Sequence, residues 1–179
     1  MLNKSKKISS IKKAGNPWWE YNIDIYEYPN GKKGEYHYVN SRGSTFIIPL
    51  TDTGNFIMVK QYRYLNDRES LEFPGGGQKE GISPEINARQ ELLEESGFEP
   101  GKMTLLGEFN PFNGVTNEIC RVYLAENLIK RIPMPDESEE FEIIEINKKD
   151  IICKIIKGEL WDGMSLAAWS IYCFSQKEI

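Results

Sequence analysis

An α+β sandwich is the fold class that the sequence predicts, and three observations predict it. Strand-like segments dominate up to residue 73, a single well-delimited helix occupies the middle of the chain, and further strands and then two helical segments follow. Strands, one helix, strands and terminal helices in that order pack as layers, not as a regular alternation of parallel units.

Residues 21–28 (YNIDIYEY) and 35–41 (EYHYVNS) alternate around the turn PNGKKG and predict an N-terminal antiparallel strand pair. Residues 44–50 and 55–62 predict a second pair around Thr51, Asp52, Thr53 and Gly54. Leu71, Glu72 and Phe73 form a short strand that feeds a glycine turn. The central helix is bounded by Ser83 as N-cap, Pro84 as its first residue and Gly97 as its left-handed stop. Residues 103–109, 118–125 and 141–146 read as three further strands. Residues 150–157 and 164–176 carry helical spacing, with Ile151, Ile152, Ile155 and Ile156 in the first and Leu166, Trp169, Ile171 and Phe174 in the second. The stretch 129–140 is a long acidic loop, a kind that is often functional.

Composition narrows the function. The net charge of −5 argues against non-specific nucleic-acid binding, which rests on phosphate neutralisation. No apolar run approaches the length of a membrane span. The first 16 residues are basic without an apolar stretch and read as a flexible tail, not a secretory signal. Cys120, Cys153 and Cys173 are widely spaced and read as buried packing thiols in a reducing cytoplasm. His37 is the single histidine, which removes histidine-based metal clusters and most Ser-His or Cys-His triads.

The chemistry concentrates in residues 71–98, LEFPGGGQKEGISPEINARQELLEESGF. Glu91 and Glu95 lie one helical turn apart, with Glu94 beside them. Like charges at this spacing cost about 0.2–0.5 kcal/mol per pair, so a helix built for stability alone would interleave lysines. Clustered carboxylate oxygens suit a hard divalent cation such as Mg²⁺. Gly75, Gly76 and Gly77 fit a tight turn needing positive φ, and equally a backbone that approaches metal and phosphate closely.

This stretch resembles the signature of the Nudix hydrolases: Gly, five residues, Glu, seven residues, then Arg-Glu-apolar-any-Glu-Glu-any-Gly-apolar. Gly76 takes the first place and residues 91–98 fill the end without a fault. Ile82 stands where the first Glu is expected and Gln90 where the Arg is expected, so the ion pair that braces the family's loop is absent. Further similarities to the ADP-ribose pyrophosphatase branch lie in MVKQYR at 58–63, EFPG at 72–75, NGVTNE at 113–118 and GELWDGMS at 158–165. The resemblance implies an α/β/α sandwich with a mixed sheet, an N-terminal strand pair over 17–43 that serves dimerisation, and a hydrolase domain over 44–179.

It also implies a cytoplasmic, Mg²⁺- or Mn²⁺-dependent pyrophosphohydrolase acting on a nucleoside diphosphate derivative. ADP-ribose leads, with GDP-mannose or ADP-glucose as alternatives, and a catalytically weak ligand-sensing module is the alternative of another class. By resemblance, the Gly75 carbonyl, Glu91 and Glu95 hold metal, with Glu94 on a second ion or orienting water. Gly76 and Gly77 line the substrate site, and Arg63 clamps phosphate oxygens or forms a surface ion pair. Trp18, Trp19 and Tyr36 pack or stack on the base, across a homodimer whose strands complete each other's site. The attacking water's base is left open among Glu118, Glu139 and Glu140.

Overall fold

The computed structural model describes residues 3–132 and 140–176. It divides into two compact units, residues 1–43 with 110–119, and residues 44–109 with 120–179.

The first unit is an antiparallel sheet of β1 (Lys6–Gly15), β2 (Trp19–Glu27) and β3 (Lys33–Ser41), in that order. The expected strand pair is β2 and β3, joined in register from Trp19↔Ser41 to Glu27↔Lys33. Residues 6–15, expected as part of a basic tail, form a third strand instead. Their Ile8 and Ile11 interrupt the lysines with β-compatible residues, and pairing such as Ile11↔Ile23 covers an otherwise open edge of β2. The segment 110–119 joins this sheet through Val39, whose N–H donates to the Val115 carbonyl at 2.8 Å. Asn117 ties it further, donating from Nδ2 to Asn40 Oδ1 at 2.7 Å and accepting from the Ser41 N–H at 2.9 Å.

The second unit holds two sheets. One orders β7 (Gly75–Gly77), β4 (Ser44–Pro49), β9 (Cys120–Lys130) and β8 (Phe98–Phe109), and the other β10 (Glu142–Ile146), β5 (Phe56–Arg63) and β6 (Arg68–Glu72). The first is mixed, since β4 runs parallel to β9 and antiparallel to β7. The expected pairing of β4 with β5 is not formed. The turn is present, with the Gly54 N–H on the Thr51 carbonyl, but beyond one bridge at Leu50↔Phe56 the two strands enter different sheets. Each carries an apolar run, Phe46–Pro49 in β4 and Phe56–Val59 in β5, with all of β4 and the first half of β5 buried, and buried strands need neighbours that a lone hairpin cannot supply.

Helix α1 (Pro84–Ser96) is bounded as expected: the Ser83 hydroxyl accepts from the Ile86 N–H, and Gly97 ends it at φ 69°. Ala88 and Leu92 on α1 pack against Ile47, Tyr123 and Ala125. Helices α2 (Lys148–Ile156) and α3 (Gly163–Ser175) follow. The main core gathers Phe46, Phe56, Met58, Phe73, Val122 and Trp169 between the sheets and α3. Phe56 meets Trp169 edge-on at 5.1 Å, a favourable geometry for two aromatic quadrupoles.

Burial is selective on the last two helices, and one cysteine departs from expectation. Of the isoleucines on α2 only Ile151 is buried, because one face of a short helix touches the core, and Ile156 is exposed. On α3, Phe174 is exposed, Ser165, Ala168, Trp169 and Tyr172 are buried, and Leu166 and Ile171 pack half-buried against the core. Cys120 is buried but Cys153, on the outer side of α2, is exposed. Among the described residues no helix is long and apolar enough to cross a membrane.

Leu92 is fully buried where α1 meets the mixed sheet. Leu92→Ala is expected to cost about 2–5 kcal/mol, read as a lower urea midpoint at unchanged slope.

Candidate active site

The site is built where α1 lies against β7. Gly75, Gly76 and Gly77 are extended and pair with Phe46, Thr45 and Ser44, so they form a short strand and not the expected positive-φ turn. Glycine is needed at 75 and 76 for proximity. A Cβ on Gly75 would collide with the Thr45 carbonyl, and one on Gly76 would collide with the Glu91 carboxylate. Gly77 meets no such obstacle.

This approach brings the helix carboxylates onto the strand. Glu91 and Glu95 are buried, 8% and 7% exposed, which for carboxylates requires compensation. Glu95 Oε2 accepts the Gly75 N–H at 3.0 Å. Lys79, on the loop before α1, places its ammonium 3.3 Å from Glu91 Oε1 and 2.8 Å from Glu94 Oε2. Burial works to lower the Lys79 pKa, but the hydrogen bond to Glu94 and the charges of Glu91 and Glu94 outweigh it and hold the ammonium above its ordinary value.

The residues fit a divalent cation on two observations: a positively charged group already sits on Glu91 and Glu94, and the cradle at Gly76 is one that a side chain would fill. Among the described residues no group of three or more His, Cys, Asp or Glu side chains is gathered in metal-holding geometry. The oxygens are turned to Lys79 and to the Gly75 amide instead.

The loop's brace is also rearranged. Where the family signature has Glu and Arg, Ile82 is half-buried and Gln90 is exposed. Gln78 holds the loop, donating from Nε2 to the carbonyls of Lys79 at 2.9 Å and Ile82 at 3.0 Å. Asn87, fully buried on α1, accepts from the Lys79 N–H and donates to Thr45 Oγ1, both at 2.9 Å. These partners escaped the sequence reading because amides carry no charge signal, although QK inside the glycine loop was visible.

Arg63 is turned onto the chain itself. Its Nε donates to Glu72 Oε1 at 2.7 Å and its Nη2 to Glu72 Oε2, a bidentate pair with a carboxylate that is 1% exposed. The Glu72 hydrogen bond raises the Arg63 pKa against its burial, and the charges of Glu72, Asp162 and Glu95 add to it. Glu72, hidden in the sequence as part of a short strand, is thus a site-adjacent buried acid. The next residue, Phe73, donates its N–H to Ser165 Oγ at 3.0 Å, and Asp162 caps α3 by accepting the Ser165 N–H at 2.7 Å. Trp161 is held beside them, its Nε1 on the Glu69 carbonyl and its ring under the Arg68 guanidinium at 3.7 Å.

Of the expected bases, Glu139 lies outside the described residues. Glu140 is exposed and lines a hollow of about 290 Å³ with Lys60, Tyr62, Glu69 and Glu142. Glu118 belongs to the other unit, its N–H on Thr116 Oγ1 at 3.1 Å. In that unit Trp18 is 74% exposed, Trp19 45% and Tyr36 44%, with the Tyr36 ring tilted against Tyr38 at 6.5 Å. Asn16 Oδ1 accepts from both tryptophan amides at 2.9 Å, and the Tyr36 hydroxyl donates to the Gly114 carbonyl at 3.2 Å.

The NUDIX domain family matches residues 41–161. The ADP-ribose pyrophosphatase of Bacillus subtilis (strain 168) is 34% identical over 162 residues, 87% of this chain and 86% of that one. The methanol dehydrogenase activator of Bacillus methanolicus is 30% identical over 148 residues, 82% of this chain and 80% of that one. The crystal structure of an ADP compounds hydrolase shares the fold, with a TM-score of 0.83 at 18% identity over 97% of this chain and 95% of that one.

The Arg63–Glu72 pair yields a test of its own. Arg63→Met strands a buried carboxylate and is expected to cost roughly 1–3 kcal/mol, whereas Arg63→Met with Glu72→Met recovers most of the loss. A thermal-melt double-mutant cycle reads the coupling.

Proposed function

The chain belongs to the NUDIX domain family, and on that premise we propose that it is a divalent-cation-dependent pyrophosphohydrolase of nucleoside diphosphate derivatives, with ADP-ribose as substrate. The observation that carries this reading is the seating of Glu91 and Glu95, buried on α1, against the side-chain-free strand Gly75–Gly77. The similarity to an ADP-ribose pyrophosphatase across most of both chains supports the substrate.

Glu91, Glu95 and the Gly75 carbonyl would hold Mg²⁺ or Mn²⁺, with Glu94 on a second ion or orienting water. When bound, such cations neutralise a diphosphate and polarise its phosphorus–oxygen bonds. The chain's own residues do the rest. The extended backbone of Gly76 and Gly77 lets a phosphate approach without steric cost. A carboxylate takes a proton from the attacking water; Glu140 stands in the described unit that holds α1, and Glu118 and Glu139 are the other candidates. The products are AMP and ribose 5-phosphate. Arg63, already paired with Glu72, acts first as a positioning residue, its guanidinium fixed for any phosphate contact. Trp18, Trp19 and Tyr36 offer exposed ring faces for the base, in a homodimer formed through the N-terminal sheet.

A hydrolysis panel over ADP-ribose, ADP-glucose, GDP-mannose and nucleoside triphosphates, each with and without Mg²⁺, tests the activity and its substrate. Glu95→Gln keeps shape but removes a ligand charge, so turnover is expected to fall by orders of magnitude while the circular dichroism spectrum is unchanged. Near-wild-type turnover of this variant at saturating Mg²⁺ removes the proposed site.

Light scattering tests the assembly. A twofold dimer is expected at micromolar concentration, and a monomer that hydrolyses ADP-ribose efficiently defeats the shared site.

A further inference from the structure

Lys79 sets this site apart from one made of carboxylates alone. Its single ammonium is shared between Glu94 Oε2 at 2.8 Å and Glu91 Oε1 at 3.3 Å, two acids three residues apart on one helix face. The residue is placed there by construction. Its N–H is held by Asn87, which is fully buried and itself tied to Thr45 on β4, and its carbonyl accepts from Gln78 Nε2. Only the stem is free: the side chain is 46% exposed, so the ammonium can swing away without moving the loop.

We propose that Lys79 is a tethered counter-ion of the metal site, holding Glu91 and Glu94 together in the metal-free protein and competing with the divalent cation for the same oxygens. The inference rests on the divalent-cation reading given above. Two like charges on neighbouring carboxylates repel, and in the empty site a fixed cation relieves that repulsion. A divalent ion brings more charge and coordinates oxygen directly, so it displaces the ammonium; its entry is an exchange, and its net affinity is reduced by the ion pairs it must break. Restraining metal affinity in this way leaves a site that takes up its cation at high free concentration, or together with an anionic substrate.

Calorimetric titration of Mn²⁺ into metal-free wild-type protein, Lys79→Gln and Lys79→Arg, with thermal melts in chelator and in Mn²⁺, tests the exchange. Lys79→Gln is expected to bind Mn²⁺ about three- to tenfold more tightly than wild type. It should melt lower in chelator and gain more from the metal. Lys79→Arg keeps the charge and should stay within about twofold of wild type. Equal or weaker Mn²⁺ binding by Lys79→Gln overturns the proposal while leaving the metal site standing. Wild-type protein that takes up no Mn²⁺ overturns the metal reading itself, and this inference with it. A Mg²⁺ titration of ¹³C-lysine-labelled wild type gives a check free of destabilising variants. The Lys79 Cε resonance, identified by its loss in Lys79→Arg, should shift as the metal binds, and an unmoved resonance at saturation overturns the exchange.

Discussion

Helix α1 rests on strand β7 so closely that a Cβ on Gly76 would strike the Glu91 carboxylate, and the seating of the helix acids depends on that approach. It demands the absence of a side chain at Gly76, as the Thr45 carbonyl does at Gly75, and a strand so bare must be held by something other than packing. Pairing with β4 does this, from Ser44↔Gly77 to Phe46↔Gly75. The helix must then be fixed in height and rotation. Ser83 and Gly97 set its ends, Ala88 and Leu92 press it onto the sheet, and Asn87 links it to both Thr45 and the loop. A buried amide with all these partners specifies position more sharply than an apolar side chain, since any slip leaves polar groups unsatisfied.

The same geometry concentrates buried acids. Glu72, Glu91 and Glu95 are each less than one-tenth exposed, and the structure compensates each differently. Glu72 has a bidentate arginine, Glu91 shares a lysine, and Glu95 accepts a backbone amide. The first arrangement is stiff, because a planar guanidinium matches a carboxylate in one orientation. The second is loose, because an ammonium on a flexible stem can leave. The buried acids are thus held by one rigid pairing, at Glu72, and one loose pairing, at Glu91 and Glu94.

Helix α1 was legible because its signals are local: a cap, a proline, a stopping glycine and carboxylates at helical spacing lie within one short segment. The glycines were legible as a type but not as a geometry. The turn expected at 75–77 is a strand, since the need for glycine came from Thr45 and Glu91, both distant in sequence. Likewise residues 44–50 and 55–62 read as strands correctly and as partners wrongly. Adjacency with a good turn implies a hairpin, but β4 finds β9 across more than seventy intervening residues and β5 finds β10 farther still. On α2, helical spacing of four isoleucines identified the helix without revealing that only Ile151 is buried and Ile155 half-buried against the core, while Ile152 and Ile156 are exposed.

By itself, then, the sequence determined the order of strands and helices, the capped helix with its three acids, and membership of a hydrolase family. Those features depend on short-range sterics, on periodicity and on residue types at fixed spacing. Only the tertiary structure decided which groups compensate the buried charges. Arg63 belongs to Glu72, Lys79 to Glu91 and Glu94, and the loop before α1 is held by Gln78 and Asn87. Charge pairing is settled by distances of a few ångströms between segments that the chain must first bring together, and no local pattern encodes those distances.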